Sequence, residues 1–417
     1  MRAVIIGTGP AGITAALTLR QLDPSGAVTA LSAEPYPPYS PPAIADHFLT
    51  GRDQTLYWQG RDVAQRLGIE ERREACVAAV DSCNREVVLA DGDRIRYERL
   101  IVASGSRLHA PLTGAELPGV YDFKSLRVAT EMIGRVRSGE VKSALIVGNG
   151  FIGIELALLL ADLGVDVTII GRRSWVMPRV LDPETSAVAE AALEARGVTL
   201  RLGLEAEAFI GDGGVTGVRL AGGEVVTAGM YIAATGVKPH VEFLGGSDVT
   251  ARWGVEVDDR LRTTDPNIFA AGDVTEAADR LTGEPYVHAI FPNAVAQGRV
   301  AALNALGRDI RYEGAEAMNS LKHLGVPIVA MGSTDHPDEI LRRHDGAGLR
   351  SIYLRDGQIV GAQLAGDISA AGIYRSLMLR RAKVRPFGKR IIEPGFGMSQ
   401  IVWDAMQPGR IHACAAA

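Results

Sequence analysis

Six glycines at two places carry the first readable chemistry of this chain: Gly7, Gly9 and Gly12, and again Gly148, Gly150 and Gly153. Each set has the spacing Gly-x-Gly-x-x-Gly. Each follows a short β-branched apolar run, Arg2 to Ile6 and Ser143 to Val147, and precedes residues with helical apolar spacing, Ile13 to Leu22 and Ile154 to Leu163. In a strand-turn-helix of this kind the first glycine turns the chain, the second lets the backbone approach a pyrophosphate, and the third lets the helix pack on the strand. The positive end of the helix then faces the phosphates. Pro10 and Ala11 complete the first turn, and Phe151 and Ile152 the second. One such spacing is weak evidence; the strand before and the helix after make it specific, and its repetition implies two dinucleotide sites.

The second strand of each unit should end in an acid that binds the adenosine ribose hydroxyls. After the strand Val28 to Leu31, Glu34 is the available candidate. After the strand Asp166 to Ile170 the acid is replaced by Gly171, followed by Arg172 and Arg173. Two guanidinium groups can clamp a ribose 2′-phosphate, whereas a glycine also tolerates the unphosphorylated form, so the choice between NAD and NADP stays open at this point.

The elements that must position these turns are those of an α/β protein with two Rossmann-like dinucleotide-binding domains and a small α+β C-terminal domain. The first unit is read as discontinuous, residues 1–110 and 238–307, with the second, 111–237, inserted into it. The proline-rich SAEPYPPYSPP is a loop, Asp81 to Ser106 and Gly211 to Val226 are meanders of short strands around Asn-Arg, Asp-Gly and Gly-Gly turns, and Met230 to Ala233 is a strand. A helix is expected from Ala294 to Leu306. Residues 308–384 hold three strands, Pro327 to Met331, Leu349 to Leu354 and Gln358 to Leu364, and a helix near Ile368 to Arg381; residues 385–417 form a tail without clear periodicity.

The 417 residues suffice for two or three cores, and 47% hydrophobic with 22% charged residues is ordinary for a globular protein. A net charge of −5 without a long basic stripe argues against nucleic acid as partner. No run of residues is apolar enough to span a bilayer, and the strand near Met1 does not resemble a secretion signal, so a cytoplasmic location is expected. Cys76, Cys83 and Cys414 form no close pair, and Cys76 and Cys83 read as small buried or edge residues; His109, His240, His288 and His323 have no metal-ligand spacing, and no metal site is expected. His288, just before the expected helix, reads as a core or loop histidine ahead of a proton donor.

With the paired glycine turns, the segments LIVASGS (Leu100 to Ser106), ATGVKP (Ala234 to Pro239) and IFAAGD (Ile268 to Asp273) resemble the flavoprotein disulfide-reductase superfamily, and within it the ferredoxin-reductase-like and nitrite-reductase-type branch. The likeness covers about residues 1–384. It implies FAD at the first turn, with Ala103, Ser104 and Gly105 beside it, Gly272 giving the backbone room and Asp273 accepting from a ribityl hydroxyl. It places Asn293 and Ala294 of NAVAQGR near the flavin ring, where a helix start stabilises negative charge. It implies NAD(P)H at the second turn, beside Thr235 and Gly236, with Glu155 on the first helical turn reaching the junction of nicotinamide and flavin.

The chain departs from these relatives between Tyr39 and Asp46, YSPPAIAD. No CxxxxC pair and no single cysteine stands there, so dithiol and cysteine-based peroxide chemistry are excluded. An arginine and a lysine typical of the branch are replaced by Pro41 and Asp46, which lowers the flavin potential unless another cation compensates. With no internal dithiol, the simplest acceptor or donor is another protein carrying a one-electron centre, such as an iron-sulfur protein or subunit. Arg380, Arg381, Lys383, Arg385, Lys389 and Arg390 form a candidate steering patch against a solvated helix end as the plainer reading, and Phe396, Trp403 and Met406 are expected to lie on a partner subunit. The alternatives are a stand-alone NAD(P)H oxidase or quinone and dye reductase, and a non-catalytic nucleotide-binding regulatory protein. Homodimer and hetero-oligomer are equally compatible with the sequence.

Overall fold

The computed structural model describes residues 1–321, 323–346, 348–397 and 399–401. Two five-stranded sheets share one plan. In the first, the spatial order is Ile268–Ala270, Arg99–Val102, Arg2–Ile6, Ala27–Leu31 and Glu70–Arg72, all paired in parallel. In the second it is Val120–Tyr121, Met230–Ala233, Ser143–Val147, Asp166–Gly171 and Thr199–Leu202, again all parallel. The central strands, RAVII and SALIV, are buried over their last four residues, as a parallel strand covered on both faces requires.

The edge strand Ile268–Ala270 of the first sheet comes from beyond the entire second sheet in sequence. The chain crosses out through Ser106–Leu108 and returns through Val237–Pro239, and these two crossings pair as an antiparallel ribbon. Helices Pro10–Leu22 and Phe291–Ala305 cover the first sheet. They cross so closely that a Cβ on Gly298 would overlap the carbonyl oxygen of Ala11.

The segment after the proline-rich loop is helical, first a 3-10 turn at Pro41–Ala43 and then Ile44–Thr50. Tyr39, Ile44 and Phe48 pack there with Leu126 and Met132 of helix Leu126–Arg137 and Ile154 and Leu158 of helix Phe151–Asp162, joining the first unit to the second. The helices without a sequence expectation include Leu126–Arg137, whose Ser125 side chain accepts from the Val128 N–H, and Pro183–Glu194, capped in the same way by Asp182 on the Thr185 N–H.

The C-terminal sheet has five antiparallel strands rather than three, in the order Met318–Leu321, Ile328–Gly332, Gln358–Ala365, Gly348–Arg355 and Glu339–Asp345. Its helix is shorter than expected, Ala371–Leu379. Strand alternation divides its side chains. Ile328 and Ala330 join Met177, Leu181 and Leu193 of the second unit, while Val329 and Met331 join Tyr374, Leu377, Ile391 and Phe396.

That last cluster corrects two expectations. Phe396 is only 5% exposed and is covered by its own chain, so it needs no partner subunit, and residues 385–392 form two short 3-10 turns kinked at Gly388 against the sheet. Trp403, Met406 and Cys414 lie outside the described residues. Cys76 and Cys83 are free and exposed rather than buried. Among the described residues no three His, Cys, Asp or Glu side chains are grouped to hold a metal, and no helix is long and apolar enough to cross a membrane.

Candidate dinucleotide sites

The two glycine turns correspond residue by residue. The Gly7 N–H donates to the Leu31 carbonyl and the Ala103 N–H to Ile6; the Gly148 N–H donates to Ile170 and the Ala234 N–H to Val147. Gly7 (φ +102°) and Gly148 (φ +125°) both turn through the left-handed region. A Cβ on either would overlap the carbonyl oxygen of the neighbouring strand's end, Ala103 or Ala234. Gly12 and Gly153 are equally confined, each against the carbonyl of its own first glycine. These four glycines are explained by internal packing.

Gly9 and Gly150 are not. A Cβ at either position meets nothing within 4 Å. The middle glycine of each turn therefore keeps open a cradle that a side chain would fill, as the approach of a pyrophosphate demands. Gly9 and Gly150 are also the N-caps of helices Pro10–Leu22 and Phe151–Asp162, with no side chain satisfying the first-turn N–H groups and no acid in either first turn. Those donors are the ones an anion takes.

Around the first turn the expected residues converge. Glu34 lies past the strand end; its Oε2 accepts from the Tyr39 hydroxyl at 2.5 Å, while Oε1 is buried without a partner among the described residues. An orphaned buried carboxylate oxygen is costly unless a ligand hydroxyl satisfies it. Burial first, then the neighbouring charge of Glu34, pushes the Tyr39 phenol well above its ordinary range, so it remains a donor. It also accepts from the Leu126 N–H at 3.1 Å.

Ser104 is tied by its hydroxyl to the His240 carbonyl, and Gly105 adopts φ +72°. Gly272 (φ +86°) is hemmed in by the Cβ atoms of Ala11 and Ala294, and its N–H donates to the buried Gln297 side chain at 2.7 Å. Asp273 accepts from the Ser106 hydroxyl at 2.9 Å and faces the Lys124 ammonium at 3.8 Å. Lys124 stands just before helix Leu126–Arg137 and is the largely buried cation that the sequence alone does not reveal. Of the two positions where the branch would carry a cation, Asp46 accepts a hydrogen bond from the Thr55 hydroxyl.

Helix Phe291–Ala305 starts three residues earlier than expected, with no side-chain cap at Ile290. Asn293 does not point freely at a ligand: its amide is bonded in both directions to the main chain of Glu316. Glu316 in turn binds Arg280 and, through both oxygens, Arg375 of the C-terminal helix. His288 Nε2 lies 2.8 Å from Asp279, and both side chains are largely buried. Burial pushes the Asp279 carboxyl up, but His288 and the N–H groups of Thr282 and Leu281 outweigh it and hold it at about 2.

At the second turn, Gly171 ends the strand beside Asn149, and Arg172 and Arg173 are exposed. Thr235 donates its hydroxyl to the His109 carbonyl at 2.6 Å, and Gly236 has φ +146°. Glu155 is the fifth residue of helix Phe151–Asp162, in its second turn, which corrects the expected first-turn position and removes the simple dipole explanation for it.

Two parallel sheets, each opening on a glycine turn whose middle residue guards empty space, define a double dinucleotide-binding protein of the oxidoreductase kind. The sequence model for pyridine nucleotide-disulphide oxidoreductases matches residues 1–298, and the chain belongs to that family. It is 28% identical to the epsilon subunit of NADH-dependent phenylglyoxylate dehydrogenase from Aromatoleum evansii, over 93% of this chain and 94% of that one. It is 31% identical to rubredoxin-NAD(+) reductase from Pseudomonas putida, over 82% of this chain and 92% of the relative. Its fold matches the crystal structure of a ferredoxin reductase from Rhodopseudomonas palustris with a TM-score of 0.86 at 24% identity, covering 96% of this chain and 99% of the other.

Proposed function

We propose that this chain is an FAD-dependent NAD(P)H:acceptor oxidoreductase that exchanges electrons with an iron-sulfur protein or partner subunit. The observation that carries this reading is the matched pair of open cradles at Gly9 and Gly150. FAD held there would supply hydride acceptance from the nicotinamide and single-electron exchange with a protein acceptor. The residues do the rest. Gly7, Gly9, Pro10, Ala11 and Gly12 seat the FAD pyrophosphate, the free oxygen of Glu34 accepts from its ribose, and Ala103, Ser104, Gly105, Gly272 and Ala294 border it. Asp273 accepts from its ribityl chain, and the uncapped start of helix Phe291–Ala305 stabilises negative charge on the ring. Gly148, Gly150, Phe151, Ile152 and Gly153 seat the nicotinamide dinucleotide beside Thr235 and Gly236, and Glu155 stands at the junction of the two cofactors. On this reading residues 1–110 with 238–307 bind FAD, 111–237 bind NAD(P)H, and 308–384 form a third domain.

For the partner, the six cations of the run Arg380 to Arg390 are all exposed. Arg381 donates to the Leu281 carbonyl, which anchors the run against the hairpin leading into helix Phe291–Ala305. Tyr286, 55% exposed, stands on that hairpin. A basic surface beside the flavin-side helix suits an acidic iron-sulfur partner. Both named relatives support this class, one as a subunit of a larger enzyme and one as a reductase of rubredoxin.

The test is anaerobic titration of the purified flavoprotein with NADH and NADPH. Bleaching of the visible flavin band by either nucleotide is expected. Bound flavin that neither nucleotide bleaches would overturn entry of electrons from the nicotinamide side, and turnover with oxygen as fast as with any iron-sulfur protein would favour a stand-alone oxidase.

A further inference from the structure

Resting on the reading that the second glycine turn holds a nicotinamide dinucleotide, we infer that this site selects NADPH, and that Asn149 sets the selection by closing Gly171 to an acidic side chain and fixing the loop that presents Arg172 and Arg173.

Asn149 occupies the first variable position of the turn and is only 8% exposed. Its side-chain amide donates to the carbonyl oxygen of Trp175 at 2.7 Å and, at the limit of hydrogen-bond distance, to that of Arg173 at 3.4 Å. Its main-chain carbonyl accepts from the Met177 N–H at 2.8 Å. Met177 holds φ +50°, a conformation that this closure imposes on a buried, non-glycine residue. Loop 172–177 is thus stapled back onto the glycine turn. It is braced from the other side, where the Gly203 N–H donates to the Arg173 carbonyl and the Leu204 N–H to the Gly171 carbonyl.

The consequence falls on Gly171. A Cβ there would lie 2.5 Å from Cγ of Asn149, 2.6 Å from its Nδ2 and 2.8 Å from its Cβ. Those atoms are pinned by the bonds just described and cannot swing aside without unmaking them. The position from which an acid accepts the ribose 2′-hydroxyl of NADH is therefore sterically closed, and NADH loses that bond.

What the loop offers instead is cationic. Arg172, Arg173 and Ser174 are exposed, and the Arg173 guanidinium has no partner among the described residues. Arg172 meets one carboxylate, Glu205, at 3.8 Å, with the two side chains 70% and 58% exposed. An exposed pair at that distance is weak and yields to a phosphate, which arginine can bind through two nitrogens. The ligand class is an adenosine carrying a 2′-phosphate.

Calorimetry on the FAD-loaded protein with adenosine 2′,5′-bisphosphate and 5′-AMP, and then with NADPH and NADH, tests this. The 2′-phosphorylated member of each pair is expected to bind about tenfold tighter or more, and Arg173→Ala to remove most of that difference. Gly171→Asp alone should weaken both dinucleotides. Gly171→Asp combined with Asn149→Gly should restore NADH binding and reverse the preference, a reversal that a merely structural role for Asn149 does not produce. Equal affinity of the wild type for both members of each pair overturns the inference, as does a gain in NADH affinity from Gly171→Asp with Asn149 intact. Failure of every fragment and dinucleotide to bind overturns the nicotinamide site itself, and the selectivity with it.

Discussion

Lys124 is the residue whose contribution only the folded chain reveals. Its side chain is 20% exposed and its ammonium faces Asp273, while two expected cations of the branch are absent at Pro41 and Asp46. A buried positive charge near a redox group favours the reduced, more negative form. Lys124→Met is therefore expected to lower the midpoint potential of the bound flavin, by on the order of 30 mV for a tenfold shift in the two-electron equilibrium. Spectroelectrochemistry checks this, and an unchanged or raised potential would contradict it. The two glycine turns were legible because each belongs to a local pattern of strand, turn and helix, which the fold reproduces. Lys124 was not, since it reaches Asp273 from a stretch whose own spacing says nothing of its destination. Asn293 shows the converse: it sits in a recognisable motif, but its amide is taken up by Glu316.

At the scale of elements, strands buried on both faces were the most readable. Ser143–Val147 and Met230–Ala233 fall where their apolar runs put them. Strands Met318–Leu321 and Glu339–Asp345 escaped because they are edges of the C-terminal sheet, half exposed and without apolar alternation. Helix Phe291–Ala305 extends beyond its apolar pattern because Pro292 fits the first helical turn, where no N–H partner is needed. The crossing of this helix over Pro10–Leu22 makes a sharp prediction at Gly298. On helix propensity alone, Gly298→Ala would stabilise by about 1 kcal/mol. Here the new Cβ overlaps the Ala11 carbonyl, so the variant is expected to lose about 1–3 kcal/mol and to release flavin at lower temperature. Thermal melts followed by flavin fluorescence decide between the two signs.

Across the whole molecule, the polar junction of the C-terminal sheet with the second unit gathers around Asp182. Asp182 caps helix Pro183–Glu194, accepts from the Tyr353 hydroxyl at 2.7 Å and pairs with Arg342, which also holds Glu184. The Gln363 amide adds a bond to the Val180 carbonyl at 2.9 Å. Asp182→Ala removes the cap and leaves a largely buried hydroxyl and guanidinium short of partners, a loss of about 3 kcal/mol. In scanning calorimetry the C-terminal sheet should then separate in its own, earlier transition; one undivided peak at the wild-type temperature would contradict this. The insertion of the second sheet into the first also orders events at the ribosome. Every strand of the second sheet lies between Val120 and Ala233, so that unit can close while the chain is still growing. The first cannot, because Arg99–Val102 waits for Ile268–Ala270. At about 5–20 residues per second, residues 103 to 267 take on the order of 10 to 30 s to synthesise, during which a strand of Leu100, Ile101 and Val102 presents a bare apolar edge. The first sheet thus closes only after the inserted one is complete in the chain, although four of its five strands precede that insertion.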